Sequence, residues 1–463
     1  MGNLISIPSP AIKNLGYVTV SSKGISNGLS GIPNDGADFG PDTPNSTGTG
    51  LTQTSGIQEA INYVSLTGGV IKLEDGIYDI TNASFQPAGY SYVSQILLPS
   101  IPNDDPVVNI SIIGNPASRG GIEGGQPYNQ FSGGVTIRST ATVPSGDIGF
   151  VIASPTADGT TTNLSNINLF IDGIHIQTQY DGNLGGISLD FITGVIIGKL
   201  YIDTNSPATF PTTISSGIGI MWGNGNNSSI AYADEISAVG YHTGIYLTSL
   251  SHMQINKIMA DMCVYGTFVL GSTYGGHIGQ YDYQNCAYGI YFQQSSGSAF
   301  AVIGLISMGD QQTSGYPYDY VSTVYDPGSY PDATSGGIHY LKATLLYNET
   351  TVTPSFQTAL TSVFDIEQIG QPTTSTTNGT TAGTVTMNAV SYKLNYKKYV
   401  ITFNGYENDT TTDQVINFPL PFNSAIIITN NTGLTINLST TVISITSPNS
   451  TTTYSGFVIV EGY

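Results

Sequence analysis

The feature that most constrains the fold is a weak internal repeat in which a glycine-led strand alternates with a second strand. The glycine-led strands are GISLD (from 186), GIGIM (217), GIYLT (244), GTFVL (266), GIYFQ (289) and GIHYL (337). The second strands are VIIGKLYID (195–203), IAYADEISA (230–238), MQINKIMAD (253–261), HIGQYDYQN (277–285) and AFAVIGLIS (299–307). The best-kept spacings are 22 residues (Gly244 to Gly266) and 23 residues (Gly266 to Gly289). Such a repeat predicts an all-β solenoid whose coils stack about 4.8 Å apart.

One short helix is predicted at the start of the repeats, in GIQEAINYVSLTGGVIKLEDGIYDI (56–80). Ile57, Ala60, Ile61 and Val64 recur at the spacing of one helical face. A solenoid has an open first coil whose edge would pair with other chains if it were uncovered. We therefore predict that the helix caps this coil and that GGVIKLEDGIYDI supplies its first strands.

The chain divides by composition into four predicted segments. PTTSTTNGTTAGT (372–384) is a low-complexity run typical of a linker, and alternating strands follow it. We predict an N-terminal arm or attachment segment at 1–30, a parallel β-helix at 31–370, a Thr/Ser/Gly linker at 371–384 and a C-terminal β-sandwich at 385–463.

Charge excludes several classes of partner. The net charge is −20 with 11 Lys and Arg residues, so no basic stripe is available to neutralise nucleic acid or an anionic membrane. No apolar run reaches 18 residues, and therefore no transmembrane helix is predicted. The N-terminus lacks the pattern of an ordinary signal peptide. Charged residues make up only 9% of the chain, which suits an acidic or extracellular setting.

NDGADFG, then SGIQEAIN, then GGVIKLEDGIYDI together resemble the N-terminal signature of the pectate-lyase-like right-handed parallel β-helix superfamily, above all its viral tailspikes. The resemblance covers roughly residues 30–345. It implies a right-handed parallel β-helix, a virion location and a homotrimer. Hydrolases of the superfamily carry paired-Asp motifs with a downstream Arg-x-Lys, and its lyases use Arg or Lys beside calcium-binding carboxylates. This chain has neither pattern, and its only arginines, Arg119 and Arg138, precede the aligned coils.

Aromatic residues are the candidates for glycan or subunit contact. Tyr246, Phe268 and Tyr291 align as an outward column, which offers flat faces to sugar rings unless a loop or a neighbouring subunit covers them. Trp222 lies in the polar stretch MWGNGNNSS, where sugar stacking and half-burial are both open. The long insertion at 310–335 adds the candidates Tyr316, Tyr318, Tyr320 and Tyr325.

Four carboxylates are weak catalytic candidates: Asp203, Glu235, Asp261 and Asp282. Glycoside hydrolysis needs two carboxyl groups about 5–9.5 Å apart on one face. The aspartates do not share one clear column in the alignment. Glu235 shares a column with Lys257 and Gln280, above Lys199, which indicates a structural ladder rather than a catalytic acid.

Few other residues in the sequence suggest a covalent or metal-binding role. Cys263 and Cys286 align 23 residues apart, and a disulfide or two stacked thiols are equally open. N-x-S/T sequons that could carry glycan include Asn82, Asn163, Asn348, Asn378, Asn408 and Asn449. The histidines are scattered without ligand spacing, so we expect no metal site and no cofactor.

Our first hypothesis is a tail, spike or fibre protein on a virion surface that attaches to host glycans or glycoproteins. Its N-terminus would contact other virion proteins, and the composition leads us to expect a virus of an acidophilic or thermophilic archaeon. A polysaccharide-degrading hydrolase or lyase is the first alternative. A cell-surface or filament-forming structural protein is the second.

Overall fold

The structure is a computed structural model. It describes residues 16–23, 37–45, 50–82, 92–102, 104–119, 131–144, 147–155, 165–179, 183–205, 215–223, 230–248, 250, 252–270, 273–292, 299–309, 320–325, 339–347, 356–357, 363–370, 381–393, 396–408, 414–417, 425–430, 435–439, 442–446 and 454–462.

The chain forms two compact units, Met1–Phe268 and Val269–Tyr463. The first unit contains helix α1 (Ile57–Val64) and strands β1 (Tyr17–Val20), β2 (Gly69–Leu73), β3 (Gly76–Ile80), β4 (Val93–Leu97), β5 (Val108–Ile113), β6 (Ser118–Arg119), β7 (Phe131–Ser132), β8 (Val135–Ser139), β9 (Gly149–Ala153), β10 (Ser165–Asp172), β11 (Ile174–Gln179), β12 (Leu184–Leu189), β13 (Ile192–Asn205), β14 (Ser215–Trp222), β15 (Ile230–Val239), β16 (Tyr241–Thr248) and β17 (Met253–Asp261), with β18 (Tyr265–Leu270) spanning the division. The second contains β19 (Thr273–Gln284), β20 (Tyr288–Phe292), β21 (Ala299–Gly309), β22 (Ser322–Tyr325), β23 (His339–Tyr347), β24 (Phe356–Gln357), β25 (Val363–Gly370), β26 (Thr381–Lys393), β27 (Tyr396–Asn408), β28 (Gln414–Asn417), β29 (Ala425–Asn430), β30 (Thr435–Leu438), β31 (Val442–Thr446) and β32 (Tyr454–Gly462).

Two parallel sheets make up most of the first unit, and β6 and β7 form a small antiparallel pair beside them. The first sheet has the order β1-β2-β5-β10-β13-β15-β17, and β3, β8 and β11 join it through β13. The second sheet has the order β4-β9-β12-β14-β16. Successive strands from β12 to β17 alternate between the two sheets, so each return to a sheet adds one parallel rung. This connectivity is that of a parallel β-helix, and the predicted fold class is confirmed.

Stacked aliphatic side chains fill the space between the sheets. In the first sheet the register aligns Ile112, Ile171, Ile197, Ala233 and Ile255, all of them buried. In the second sheet one buried column contains Ile96, Ile152, Ile187, Ile220 and Ile245. Each buried isoleucine contributes about 1.5–3 kcal/mol by leaving water, so these columns hold the coils in register.

The second column corrects one detail of the sequence alignment. Ile187 pairs with Ile220 and not with Ile218, because Gly219 and not Gly217 continues the glycine column. A Cβ on Gly186 would meet Gly219 O at 2.7 Å, and a Cβ on Gly219 would meet Gly244 O at 2.6 Å. Only glycine fits where the rungs approach this closely. GIGIM offers two glycines, and the alignment chose the wrong one.

Helix α1 lies against the first strands, as predicted. Ile57, Ala60, Ile61 and Val64 are buried, and the helix contacts β1, β2 and β4. On its polar side, Gln58 Oε1 accepts a hydrogen bond from Leu97 N at 2.7 Å, and Gln58 Nε2 donates to Leu97 O at 3.1 Å. The side-chain amide thus satisfies backbone groups that a neighbouring strand would otherwise pair. The capping role of the helix is confirmed at the level of individual hydrogen bonds.

The second unit contains parallel and antiparallel sheets. Strands β19-β21-β23-β25 and β20-β22-β24 continue the solenoid pattern with parallel pairs. Strands β26-β27-β32-β29 and β28-β31-β30 form two antiparallel sheets, as a β-sandwich requires. Strand β1 falls within the predicted arm, and β26 begins within the predicted linker. The four predicted segment boundaries remain predictions.

Candidate functional site

A partly exposed tyrosine cluster lies on the second unit. Tyr291 and Tyr325 are register partners on β20 and β22, and their rings stack with centroids 5.2 Å apart at 23°. Tyr288 packs on both, with centroids 5.5 Å from Tyr291 and 5.1 Å from Tyr325. All three side chains are half-buried, so part of each ring reaches solvent. The structure therefore brings together two predicted contact residues, Tyr291 and Tyr325, and adds Tyr288.

The backbone next to this cluster is held by hydroxyl groups. Tyr320 OH lies 2.7 Å from Thr323 Oγ1, and the buried Tyr283 OH donates to the same oxygen at 2.8 Å. Burial raises the pKa of Tyr283 well above its ordinary value. Thr323 belongs to β22, the strand that carries Tyr325. Two predicted contact residues of the insertion, Tyr316 and Tyr318, lie outside the described residues.

A second aromatic surface lies on the outer face of the first unit. Tyr246 is half-buried and follows Met221 and Ser188 in its column. Tyr92 and Phe150 meet edge to face at 5.2 Å in the same cluster.

A buried carboxylate accompanies this surface. Tyr92 OH donates to Asp190 Oδ2 at 3.1 Å, and Asp190 has no solvent exposure. Burial, and then the charge of Asp190, raises the pKa of Tyr246 to about 12. Because Asp190 is sealed from solvent, the half-buried ring of Tyr246 is the part of this cluster that can meet a ligand. Phe268 lies in β18, and its side chain is outside the described residues.

Trp222 has no ring face at the surface of this structure, so neither sugar stacking nor half-burial describes it. It is wholly buried, and its register partners are Leu189 and Leu247, which point into the solenoid. The polar residues after it suggested a loop, but Trp222 is the last residue of β14. Its Nε1 has no hydrogen-bond partner in the described residues.

Two catalytic candidates, Asp203 and Asp261, prove to share one outward column. The register runs Asp79, Arg138, Gln177, Asp203, Val239 and Asp261. One rung separates Asp203 from Asp261, which places their Cα atoms about 9.5 Å apart. Both side chains have 0% exposure. The pair thus has roughly the spacing of an inverting glycosidase but no contact with solvent.

The other two candidates occupy different surroundings. Glu235 pairs in register with Lys199 and Lys257, so the predicted outward column of alternating charges holds for these three residues. In the second unit, Gln280 Nε2 donates to both carboxylate oxygens of Asp282, at 2.8 Å and 3.0 Å. Each of these carboxylates therefore has a structural explanation.

The cysteines do not form the disulfide that the alignment left open. Cys263 and Cys286 are both buried thiols. Cys263 Sγ points at Asp261 O at 3.2 Å, and Cys286 Sγ points at Gln284 O at 3.1 Å. Each sulfur is thus directed to a carbonyl two residues before it.

Most of the predicted glycosylation sites lie outside the described residues. Asn82 is described, and its Nδ2, the atom that N-glycosylation modifies, donates to Gln95 O at 2.9 Å. Asn408 ends β27, and its side chain is not described. The remaining four predicted sites, Asn163, Asn348, Asn378 and Asn449, lie outside the described residues.

The described ranges lack two further features, a metal site and a membrane-spanning helix. These residues contain no group of three His, Cys, Asp or Glu side chains arranged to hold a metal ion. Within the same ranges, no helix is long and apolar enough to cross a bilayer.

Several site residues escaped the sequence reasoning. Tyr288 precedes Tyr291 by three residues, a spacing that strand alternation assigns to opposite faces, yet their ring centroids are 5.5 Å apart. Tyr92 and Phe150 belong to coils before the aligned repeats, so no column assigned them. His175 was one of five scattered histidines, and only the folded structure brings its Nε2 to 3.0 Å from Asp203 Oδ1.

Comparison with known proteins identifies no family. No protein-family model matches the chain, and no curated protein matches it. The chain is similar to the solved structure of Geobacillus virus E2 ORF18, with 11% identity over 86% of this chain and 72% of that chain, and a TM-score of 0.33. It is also similar to the tailspike protein gp49 from Acinetobacter baumannii bacteriophage Fri1, a capsular polysaccharide depolymerase, with 12% identity over 88% of this chain and 82% of that chain, and a TM-score of 0.21. TM-scores this low carry no argument about function, so the function is argued from this chain's own residues.

Proposed function

We propose that this protein is a virion surface attachment protein that binds host surface polysaccharide through tyrosines on the outer faces of its solenoid. The observation that carries the proposal is the cluster of Tyr288, Tyr291 and Tyr325, three partly exposed rings in mutual contact on parallel strands. Rings fixed by strands and by one another lose little conformational freedom on binding, which favours contact with a flat, amphipathic ligand. A sugar ring is such a ligand.

The net negative charge of the chain limits which polysaccharides it can bind. A net charge of −20 repels polyanions at long range and provides no basic groove for phosphate or sulfate. Neutral or weakly cationic glycans meet no such penalty. The half-buried ring of Tyr246 offers an uncharged face to the same ligand class.

The same proposal includes assembly and location. The N-terminal segment attaches the protein to other virion proteins, and the chain acts as a homotrimer at the virion surface. The small charged fraction, 9% of residues, leads us to place it on a virus of an acidophilic or thermophilic archaeon. The resemblance to the pectate-lyase-like superfamily supports the trimer and the location.

The test is retention of envelope glycans from candidate hosts on immobilised protein. Tyr291→Ala and Tyr325→Ala should each weaken retention about 2- to 10-fold, the range expected from losing one aromatic contact of about 0.5–1.5 kcal/mol. Tyr17→Ala removes another exposed tyrosine, on β1, and should leave retention unchanged. Retention that is equal in all four proteins would contradict the proposal.

A glycan hydrolase is the second candidate, although its carboxylate pair, Asp203 and Asp261, is buried in this structure. Cleavage is assayed on the same retained glycans, as release of new reducing ends. Products that disappear in both Asp203→Asn and Asp261→Asn would establish hydrolysis. Retention without products supports an adhesin.

A further inference from the structure

A polar cavity of about 370 Å³ lies beside the capping helix of the first unit. Binding cavities for small molecules start at about 300 Å³, so there is room for one sugar ring and little more. Its lining residues come from α1, the segments around it and β4: Asn45, Leu51, Gln53, Thr54, Gln58, Glu59, Asn62, Asn82, Gln95, Leu97, Leu98 and Pro99.

Two amide oxygens at this cavity lack a hydrogen-bond donor. Asn82 Nδ2 donates to Gln95 O at 2.9 Å, and Gln95 Nε2 donates to Asn82 O at 2.7 Å. These reciprocal bonds fix which end of each amide is oxygen and which is nitrogen. Asn82 Oδ1 and Gln95 Oε1 are left buried without a partner in the described residues. Buried polar atoms are nearly always paired, so an occupant with donor groups is expected.

The third acceptor is the Glu59 carboxylate. Its Oε2 accepts hydrogen bonds from Thr52 Oγ1 at 2.6 Å and from Thr54 Oγ1 at 3.2 Å. These two bonds orient the carboxylate and leave its other oxygen for a further donor. Among the described residues of the lining there is no lysine or arginine, so the Glu59 carboxylate would repel an anionic ligand with no cation to offset it.

Apolar groups complete the lining. Leu51, Leu97, Leu98 and Pro99 supply carbon surface opposite the amides. A neutral sugar matches both features, because its hydroxyl groups donate and its ring carries C–H faces. A bare cation matches less well, since cation sites use six to eight close oxygen ligands and this cavity has one carboxylate and much space.

We propose that this cavity is a binding site for a single neutral sugar residue. The site is separate from the tyrosine surfaces and does not depend on their role. Hydroxyl groups of the sugar donate to Asn82 Oδ1, Gln95 Oε1 and Glu59, and its carbon face packs on the leucines.

The experiment is saturation-transfer NMR of the full chain with glucose, galactose, mannose and N-acetylglucosamine. The test variant is Leu51→Trp, because Leu51 lines the cavity and is 59% exposed, so a larger ring there obstructs the cavity without disturbing the core. The matched control is Leu66→Trp, also near the helix and 81% exposed, but outside the lining. At least one sugar should give a signal with the wild type and the control, and Leu51→Trp should weaken its binding at least tenfold. Gln53→Ala, an exposed lining residue, is the second test variant and should weaken binding about threefold.

Three results would overturn the proposal. The first is the absence of signal from every sugar with the wild-type protein. The second is a signal that Leu51→Trp and Gln53→Ala leave unchanged. The third is calorimetric binding of calcium chloride that Glu59→Gln abolishes, which would assign the cavity to a cation. Tyr291→Ala should leave the sugar signal intact, so failure at the tyrosine cluster and failure at this cavity are distinguishable.

Discussion

His175 Nε2 lies 3.0 Å from Asp203 Oδ1, and the two side chains are 1% and 0% exposed. The distance is that of an ion pair, although the angle is not that of a hydrogen bond. Thr136 Oγ1 lies 3.0 Å from His175 Nδ1, and Gln177 Nε2 donates to Asp203 Oδ1 at 3.2 Å. A buried polar chain therefore ties together three neighbouring rungs on the outer face of the first sheet.

The column that contains Asp203 offers a direct comparison of a buried and an exposed aspartate. Asp203→Ala removes the acceptor beside the buried His175 and Gln177 side chains and should lower the free energy of unfolding by about 1–3 kcal/mol. Asp79 pairs with Arg138 at 2.7 Å in the same column, but their side chains are 55% and 37% exposed. Asp79→Ala should cost no more than about 1 kcal/mol. Denaturant unfolding of both variants gives the comparison, and equal losses would contradict the assigned burial.

Tyr246 should ionise at a higher pH than a tyrosine in an unfolded chain. Burial, and then the charge of Asp190, raises its pKa to about 12, whereas tyrosine in an unfolded chain ionises near pH 10. The folded state therefore holds this proton more tightly, and Tyr246 contributes stability that is present below about pH 10 and is lost as the pH rises toward 12. The measurement is the ultraviolet titration of tyrosinate in the wild type minus that in Tyr246→Phe.

The Asp190→Asn variant separates the two causes. It removes the charge but not the burial, so the midpoint of the difference titration should fall and still stay above pH 10. A wild-type midpoint near pH 10 would mean that Tyr246 is solvated and that Asp190 lies elsewhere.

Trp222 permits a clean optical test because it is the only tryptophan of the chain. Its indole is wholly buried in the solenoid, so acrylamide should quench its emission several-fold less in the native protein than after unfolding. Leu247→Ala, which removes a register neighbour of Trp222, should raise native quenching and lower stability by about 2–5 kcal/mol. If quenching in the native protein equals that in the unfolded chain, Trp222 is exposed at the surface and the assigned burial is wrong.

The solenoid and its cap could be predicted because both depend on local periodicity. Ile57, Ala60, Ile61 and Val64 form one helical face in the sequence and are buried in the structure. The alignment of successive rungs was harder to predict. GIGIM contains two glycines, Gly217 and Gly219, and the sequence does not say which of them packs against the next rung. Contact of Gly219 with Gly244 O decides the register, and that is a non-local fact.

The candidate site was predicted in part. Tyr291 and Tyr325 were both named, but their stacking depends on pairing between β20 and β22 across an insertion. Asp203 and Asp261 share a column because Asp203 pairs with Val239 and Val239 pairs with Asp261. Which residues pair across successive rungs is a non-local fact, and residue types alone do not give it.

The hydrogen bonding of the unpaired edge of β4 should depend on the side chain of Gln58. Gln58 satisfies both Leu97 N and Leu97 O, in the place of a neighbouring strand. Gln58→Ala leaves these groups without protein partners, and we expect a loss of about 1–3 kcal/mol in the free energy of unfolding. An uncovered strand edge also pairs with other chains, so this variant should self-associate at lower concentration than the wild type.

The matched control is Asn62→Ala, one helical turn further along α1. Asn62 accepts a hydrogen bond from Gln58 Nε2 at 2.9 Å on the exposed side but does not contact Leu97 through any described hydrogen bond. It should cost less than about 0.5 kcal/mol and leave association unchanged. Denaturant unfolding and sedimentation velocity on both variants check the two effects. If Gln58→Ala matches Asn62→Ala in both, the helix covers the edge by packing alone, and the paired bonds to Leu97 contribute nothing.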